Sequence, residues 1–446
     1  MAMETPSAGG NRYAVVHLVV QESMKGLIAS QVIDHMRIQQ EVRGVNAPER
    51  VGVVFLDAAR TAISTPVRRR VKELRERAAP AFVLHAPIAT RMPMAPQARL
   101  LAHRLRGLTK GVPIVFHCRT ETPIPWAMAM RRILPEAGIV LDVRGAWPEE
   151  YLFYKGFDGP AEADDDTLRG YHHHLANLHR GIEHAGAILS VSAGMLEWLQ
   201  SLGVPERRLT YVPCCVTGVT YDPERRARAR RQLGYEDALV FAYMGTITPY
   251  QHIEDGVATF FLAAHRRCPA ARLLCITDDP DTMRATMLSA GVPANVVTIE
   301  RRPQAEVADL LVAADCGLIL RAPSRINEFS QPTKLGEYLA AGVPVVVSRA
   351  TGRVGEILET AGAGLSIEVF DISPTHLEAE AQRVCATVQE NHGTLRDNAL
   401  QLCRSSFQWT SYLDRVREAY GRALGRTASS GVTGAAQDSA RVRVHA

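Results

Sequence analysis

Lys334 and Glu337 stand three residues apart, just after a proline. The run around them is Ser330-Gln331-Pro332-Thr333-Lys334-Leu335-Gly336-Glu337-Tyr338-Leu339-Ala340-Ala341-Gly342-Val343-Pro344. Pro332 fixes φ and disfavours helix before it, so a helix begins near Thr333, which reads as its N-cap. Leu335 and the residues after it are helix formers, Gly342 stops the helix, and Pro344 cannot continue it. Residues 345–347, all valine, then read as a strand buried on both faces. A helix start beside a lysine attracts anions, because free N–H groups and the helix dipole face outward. One turn in, the Glu337 carboxylate can accept two hydrogen bonds from a diol. Pro332, Thr333, Lys334, Leu335 and Glu337 together predict a nucleoside-diphosphate site with ribose recognition.

The elements that must position these residues repeat along the chain. Strand-like runs cover 14–20, 51–56, 81–85, 114–117, 139–143 and 188–191. A second series covers 239–244, 271–277, 296–299, 316–320 and 345–348. Helical stretches separate them, which implies parallel sheets covered on both faces. Pro205, Pro213 and Pro223 interrupt the pattern, so a linker over 205–229 is expected between domains at 12–204 and 230–405. The basic run 225–231 reads as a solvated helix face, with a membrane-surface contact as the alternative. A last helix is expected over 406–424, with disordered tails at 1–11 and 425–446.

Ligands of such folds bind beyond the carboxyl ends of the strands. Lys25 and Gly26 follow the first strand, Gly26 permitting a sharp turn and Lys25 offering charge. No Gly-x-Gly-x-x-Gly is present, which argues against a nicotinamide dehydrogenase. Asp142 and Arg144 alternate with Leu141 and Val143 and so share one side of their strand, where the carboxylate can orient the Arg fork. A structural ion pair is the competing reading for this pair. His117 and Arg119 end another strand and read equally as packing, surface charge or site. Ser192 reads as an N-cap. Gly245 and Thr246 close the first strand of the second domain. The run His172-His173-His174 diverges by about 100° per residue on a helix, so it cannot share a metal and reads as a solvated face.

Composition narrows the partners. The chain has 446 residues, 46% of them hydrophobic and 22% charged, enough for two cores. A net charge of +4 suits an anionic small ligand or membrane surface and is too weak to argue for nucleic acid. No apolar run approaches the roughly 20 residues of a membrane helix, and the polar opening does not read as a signal peptide. The eight cysteines form no Cys-x-x-Cys pair, so buried free thiols in a cytoplasmic protein are expected.

The segment from Pro332 to Val347 resembles the nucleotide-sugar motif of glycosyltransferase family 4, in its Pro-x-Lys-x-x-Glu-Tyr variant. Leu141-Asp142-Val143-Arg144-Gly145-Ala146-Trp147-Pro148-Glu149-Glu150 resembles an Asp-x-Arg-Gly motif of a bacterial subset of that family. The resemblance implies the α/β GT-B fold: two doubly wound Rossmann-like domains face each other across a cleft, with the last helix crossing back onto the first domain. It implies an acceptor-binding first domain and a nucleotide-sugar-binding second one. Glu337 would bind the donor ribose, and the helix start, with Lys25, Gly26, Gly245 and Thr246, would meet its phosphates. Arg144, Lys334 and Glu328 would act at the sugar, Arg144 standing where many members carry a histidine. The implied activity is retaining hexosyl transfer from a nucleotide-diphosphate sugar to a glycan, lipid-linked or small-molecule hydroxyl acceptor. No cofactor or metal is implied, and bacterial polysaccharide or glycoconjugate synthesis is the setting by family frequency. Two departures stand out. Thr248-Pro249-Tyr250-Gln251-His252 replaces the usual arginine and lysine, leaving Lys334, Lys25 and Arg321 as candidate cations, and Phe329 stands where the family glutamate would, with Glu328 one place off. A catalytically degenerate partner subunit and a nucleotide-sugar 2-epimerase are the rival readings.

Overall fold

The computed structural model describes residues 12–22, 26–42, 44 and 46–426. Lys25 and the expected tails at 1–11 and from 427 onward lie outside the described residues.

Seven strands form the first sheet: β1 (Ala14–Val20), β2 (Arg50–Ala58), β3 (Phe82–Ile88), β4 (Ile114–Arg119), β5 (Gly138–Val143), β6 (Ala187–Ser190) and β7 (Leu209–Tyr211). Their order is β3-β2-β1-β4-β5-β6-β7, parallel throughout. Six more form the second: β8 (Leu239–Met244), β9 (Ala271–Ile276), β10 (Val297–Glu300), β11 (Cys316–Ile319), β12 (Val345–Ser348) and β13 (Gly364–Ile367). Their order, β10-β9-β8-β11-β12-β13, is that of a doubly wound dinucleotide fold. Both faces of each sheet are buried, as the near-continuous valine, isoleucine and leucine runs require.

The helices that frame the site are α1 (Asp34–Glu41), α2 (Trp147–Tyr154), α3 (Ala193–Ser201), α4 (Pro223–Leu233), α5 (Arg325–Phe329), α6 (Thr333–Ala340), α7 (Pro374–Ser406) and α8 (Leu413–Ala423). The chain leaves the second domain at Phe407 and lays α8 on the first sheet, burying Val416, Ala419 and Tyr420 there. Two glycines admit it. A Cβ at Gly138 would lie 2.6 Å from the Ala423 carbonyl, and one at Gly186 2.6 Å from the Ala423 Cα.

Three expectations need correction. The linker over 205–229 is shorter, because Leu209–Tyr211 pairs with β6 and Pro223–Leu233 is already a helix of the second domain. A three-residue strand shows no period of its own, and β13, also without a clear pattern, was likewise not expected. The basic run 225–231 is a solvated face only in part, with Arg228 and Arg231 exposed. Arg226 and Arg230 turn inward to Asp315, which also accepts from the Val240 N–H at 2.8 Å and from His392. The third concerns one residue of the histidine run: His172 and His173 are exposed as expected, whereas His174 is partly buried against Trp147 and Tyr151, 3.9 Å from Glu121 Oε1. All eight cysteines are free, seven of them buried. No helix of the described residues is long and apolar enough to cross a membrane.

Burial would raise the Asp315 carboxyl, but His392, Arg226 and Arg230 overcome it and hold the group well below the usual range. Its stabilisation is therefore present above the ordinary aspartate pKa and lost in strong acid. Breaking a buried ion pair from one side costs about 3–5 kcal/mol. Asp315→Ala should lower the second domain's stability in urea by about that much, and a loss below about 1 kcal/mol would show the arginines to be solvated.

Candidate functional site

The second sheet reverses its order between β8 and β11, and a ligand crevice lies beyond the strand ends at such a point. Gly245 directly follows β8. Arg321 stands two residues past β11, its backbone clamped by Ser348 at the end of β12: Ser348 Oγ accepts from the Arg321 N–H at 2.8 Å and donates to the Arg321 carbonyl at 2.6 Å. Helix α6 begins at Thr333, fourteen residues past the end of β11.

Pro332 occupies the cap position of α6, with φ −62° and ψ 120°, and no side chain caps the helix. Thr333 is thus the first helical residue, which corrects its expected role as N-cap. A proline cap has no side-chain acceptor, so the N–H groups of Thr333 and Lys334 have no partner among the described residues. Leu335 is buried in the core and fixes the rotation of the helix.

That rotation buries Lys334. Its Nζ donates to Gln251 Oε1 at 2.9 Å and sits 4.2 Å over the Tyr243 ring. Burial, with help from the nearby Arg321 charge, lowers its pKa well below the ordinary lysine value, and Glu337 only partly opposes this. Arg321 is also buried. Its Nη1 donates to Ser330 Oγ at 2.8 Å and to Asn327 Oδ1 at 3.3 Å, and its guanidinium lies 5.4 Å over the Tyr250 ring. Neither cation is ion-paired to a carboxylate among the described residues. Glu337 is partly buried and accepts from Gln304 Nε2 at 3.1 Å. Burial pushes its pKa up to about 7, against the pull of Gln304 and Lys334.

Gly245 has φ +136°, and a Cβ there would stand 3.1 Å from Lys334 Nζ, so conformation and space both demand glycine. Thr246 is exposed, and its carbonyl accepts from Tyr243 Oη at 2.8 Å. The loop that lacks the expected arginine and lysine places Gln251 on Lys334 and Tyr250 on Arg321 instead. Two buried cations, one uncapped helix start and one carboxylate with a raised pKa thus surround the switch point. Such a set can hold a dianionic group at one end and a diol at the other.

Across the cleft, Arg144 donates through Nε to Asp142 Oδ2 at 2.7 Å, while its Nη1 and Nη2 are buried and meet no oxygen acceptor. Cys214 and Cys215 lie beside it, and the Cys214 N–H donates to Gln331 Oε1 at 2.7 Å, one residue before the α6 cap. Arg144 is therefore tied to the start of α6 through a single strip of backbone. Glu328 does not reach inward. Its carbonyl is wedged between Gly194 and Gly352, where added Cβ atoms would come within 2.8 and 2.9 Å. Its side chain is exposed and makes no ion pair or hydrogen bond among the described residues. Phe329, in the place of the family glutamate, stacks on Trp198 of α3 at 5.2 Å. Ser192 accepts from the Met195 N–H at 3.0 Å, as an N-cap does, and also donates to the Phe329 carbonyl at 2.6 Å, joining the domains. Gly26 has open space around it, so no close approach explains it.

Gln251, Gln304, Tyr250 and Glu121 were not singled out as site residues from sequence. Glutamines and tyrosines in loops carry no periodic mark, and only the departure at 248–252 pointed to the first and third. Glu121 is buried beyond β4 with Oε1 unpartnered, and burial, its neighbours Glu150 and Glu22 adding to the effect, raises it to about 8. No group of three His, Cys, Asp or Glu side chains among the described residues is disposed to hold a metal.

Residues 238–387 match the sequence profile of a family described as Glycosyl transferases group 1. No curated protein matches the chain in sequence. Among solved structures, HepE of Anabaena in complex with UDP is 13% identical with a TM-score of 0.63, covering 91% of this chain and 98% of that one. Sucrose-phosphate synthase from Thermosynechococcus elongatus is 14% identical with a TM-score of 0.63, covering 93% and 100%. WaaG, a glycosyltransferase involved in lipopolysaccharide biosynthesis, is 15% identical with a TM-score of 0.58, covering 91% and 98%. With the two doubly wound sheets, these likenesses establish the GT-B fold.

Because Lys334 is desolvated and Glu337 only partly offsets this, its ammonium does not stabilise the fold. Lys334→Met should leave the unliganded melting temperature unchanged or raised. A loss of more than about 2 kcal/mol would make Lys334 a structural residue.

Proposed function

We propose that the protein transfers a glycosyl group from a nucleoside-diphosphate sugar to a hydroxyl acceptor. One observation carries this reading: two buried cations without carboxylate partners, Lys334 and Arg321, meet an uncapped helix start within the stretch that matches the group 1 profile. In this reading the N–H groups of Thr333 and Lys334, with Pro332 and Leu335 fixing the turn, take the donor diphosphate. The backbone at Gly245 and Thr246 lies along it, with Gly26 contributed by the first domain, and Lys25, outside the described residues, is a further candidate cation. Glu337 accepts the ribose hydroxyls. Arg144 adds charge opposite, and Glu328 is the nearest carboxylate in sequence to serve the sugar hydroxyls.

Chemically, the departing diphosphate gathers negative charge while the anomeric carbon gathers positive charge. Fixed dipoles and cations lower that barrier without reorganising. The acceptor oxygen bonds to the anomeric carbon on the face the diphosphate leaves, the carbon–phosphate-oxygen bond breaks, and the acceptor proton passes to a phosphate oxygen. That course retains configuration and asks for no base, as the resemblance to family 4 implies. The acceptor class is a glycan, a lipid-linked glycan or a small-molecule hydroxyl, in the setting of polysaccharide or glycoconjugate synthesis, and neither resident cofactor nor metal is invoked. HepE was solved with UDP and with UDP-glucose, so uridine donors come first in any trial.

Glu121 supports a second reading. A buried carboxyl that keeps its proton near neutrality, beside Glu22 and Glu150, is the kind of acid a nucleotide-sugar 2-epimerase requires. The two readings part on products: transfer or hydrolysis frees the nucleoside diphosphate, whereas epimerisation changes the sugar and leaves the donor whole. The unpaired buried cations disfavour the degenerate-subunit reading, since an unused site gains nothing by keeping them.

A panel of UDP-, GDP-, ADP- and dTDP-sugars should contain one nucleotide class that raises the melting temperature. Charged hydrogen bonds to a diol contribute roughly 1.5–3 kcal/mol, so Glu337→Ala should weaken that donor about ten- to a hundredfold. No stabilisation by any nucleotide would sink the proposal.

The raised Glu337 pKa adds a pH test. Its protonated form is favoured below about 7, so a donor that needs the carboxylate binds worse as pH falls through that value. Linkage gives a roughly tenfold weaker dissociation constant at pH 6 than at pH 8. Glu337→Gln should flatten the dependence, and a slope that survives the substitution would assign it to another group.

A further inference from the structure

A polar seam crosses the apolar layer between the first sheet and helices α1 and α8. Val15, Val19, Val115 and Val140 supply the apolar ground, and His17, His35, Gln39, His117, Asp142 and Tyr420 lie buried within it. Packed hydrocarbon of the same volume would be at least as stable, so stability alone does not explain the seam.

Its bond directions can be read. The Gln39 amide nitrogen donates to Tyr420 Oη at 3.0 Å, which leaves the tyrosine proton for His117 Nδ1 at 2.9 Å. With Nδ1 accepting, the imidazole proton sits on Nε2 and is donated to Asp142 Oδ2 at 3.0 Å. The same oxygen accepts from Arg144 Nε at 2.7 Å. Arg144 is thus held by its inner edge, 5.7 Å over the Trp409 ring, with both outer nitrogens buried and without a hydrogen-bond partner. The chain Tyr420–His117–Asp142–Arg144 runs unbroken from the last helix to the cleft.

We propose that Tyr420 and His117 are positioning residues for Arg144, acting through Asp142, so that the returning helix sets the aim of the site arginine. This rests on the reading that Arg144 serves glycosyl transfer. Other titratable groups face the relay. His17 stacks on His117 with centroids 4.2 Å apart, His35 lies at 5.9 Å, Tyr13 touches Tyr420 at 6.2 Å, and the Cys118, Cys214 and Cys215 thiols border Asp142 or Arg144. Burial keeps His17 and His35 well below the usual histidine value, so their charge does not compete near neutrality.

Tyr420→Phe keeps the ring and removes the one proton donor. Two measurements on the full chain test the relay. In nitrogen-15 spectra of histidine-labelled protein, the wild-type resonances that disappear in His117→Gln should show the Nε2–H tautomer with a hydrogen-bonded Nδ1, and Tyr420→Phe should move the Nδ1 resonance to that of a nitrogen without a donor while Asp142 keeps the proton on Nε2. In donor-hydrolysis and transfer assays with the stabilising nucleotide sugar, Tyr420→Phe should lower kcat about 10- to 100-fold with little change in donor KM. His117→Gln, whose amide can accept from Tyr420 and donate to Asp142, should retain more activity than His117→Leu. An unchanged Nδ1 resonance, or a variant that merely melts earlier with wild-type kcat, overturns the positioning role. Wild-type protein that turns over no nucleotide sugar overturns the transfer reading, and the role of Arg144 with it, even where the tautomer is as expected.

Discussion

Residues 214–216 are the strip on which the rest of the molecule is registered. Buried backbone groups must find partners, and here the partners come from distant parts of the chain. The Cys214 N–H goes to Gln331, just ahead of α6, and the Cys215 carbonyl accepts from Gln31 of the first domain at 3.0 Å. Val216 donates to the Phe407 carbonyl at 2.8 Å and accepts from the Trp409 N–H at 3.1 Å. Gly336 lets α6 settle on the same strip, where a Cβ would stand 3.1 Å from Val216 Cγ1. Helix α6, the first domain and the returning chain therefore share one reference. A shift in any of them moves the others.

The second domain handles buried cations in two ways, and the contrast bears on function. Arg226 and Arg230 are neutralised by Asp315 and by backbone carbonyls of residues 312–314, so their charge is spent on joining α4 to the sheet. Lys334 and Arg321 receive only neutral partners: an amide oxygen from Gln251, hydroxyl and amide oxygens from Ser330 and Asn327, and two tyrosine rings. Desolvation without neutralisation leaves their attraction available to an incoming anion in a low-dielectric site. A carboxylate at either place would stabilise the empty protein and compete with the ligand.

Much of this was legible in the residues. Eleven of the strands, the two-domain division and the helix after Pro332 followed from periodicity and punctuation, because valine runs and Gly-Val-Pro stops have local causes. The pairing of Asp142 with Arg144 followed from their alternation. The rest depended on distance in sequence. His117 meets Tyr420 across 303 residues, and Lys334 meets Gln251 across 83. No spacing rule announces such pairs. The basic run at 225–231 misled for the same reason, since Asp315, the partner of Arg226 and Arg230, stands 89 and 85 residues from them and looks unremarkable alone. Thr333 misled because its hydroxyl suits a cap, while Pro332 before it already held the cap position.

The replaced loop after Gly245 then has a physical account. Cations delivered by a flexible loop must be ordered when the ligand arrives, at a cost in side-chain entropy. Here the cations come from positions already fixed: Arg321 is clamped to β12 through Ser348, and Lys334 lies in the first turn of α6. The loop no longer needs to bring charge, and its side chains instead hold the charges of others. Tyr250 also meets Phe153 and Tyr154 of α2 across the cleft, at 6.4 and 6.5 Å. Its ring therefore touches the first domain on one side and Arg321 on the other. Moving the two sheets apart would break the first contact and uncover the second, so under the proposed reading one movement would expose Arg321.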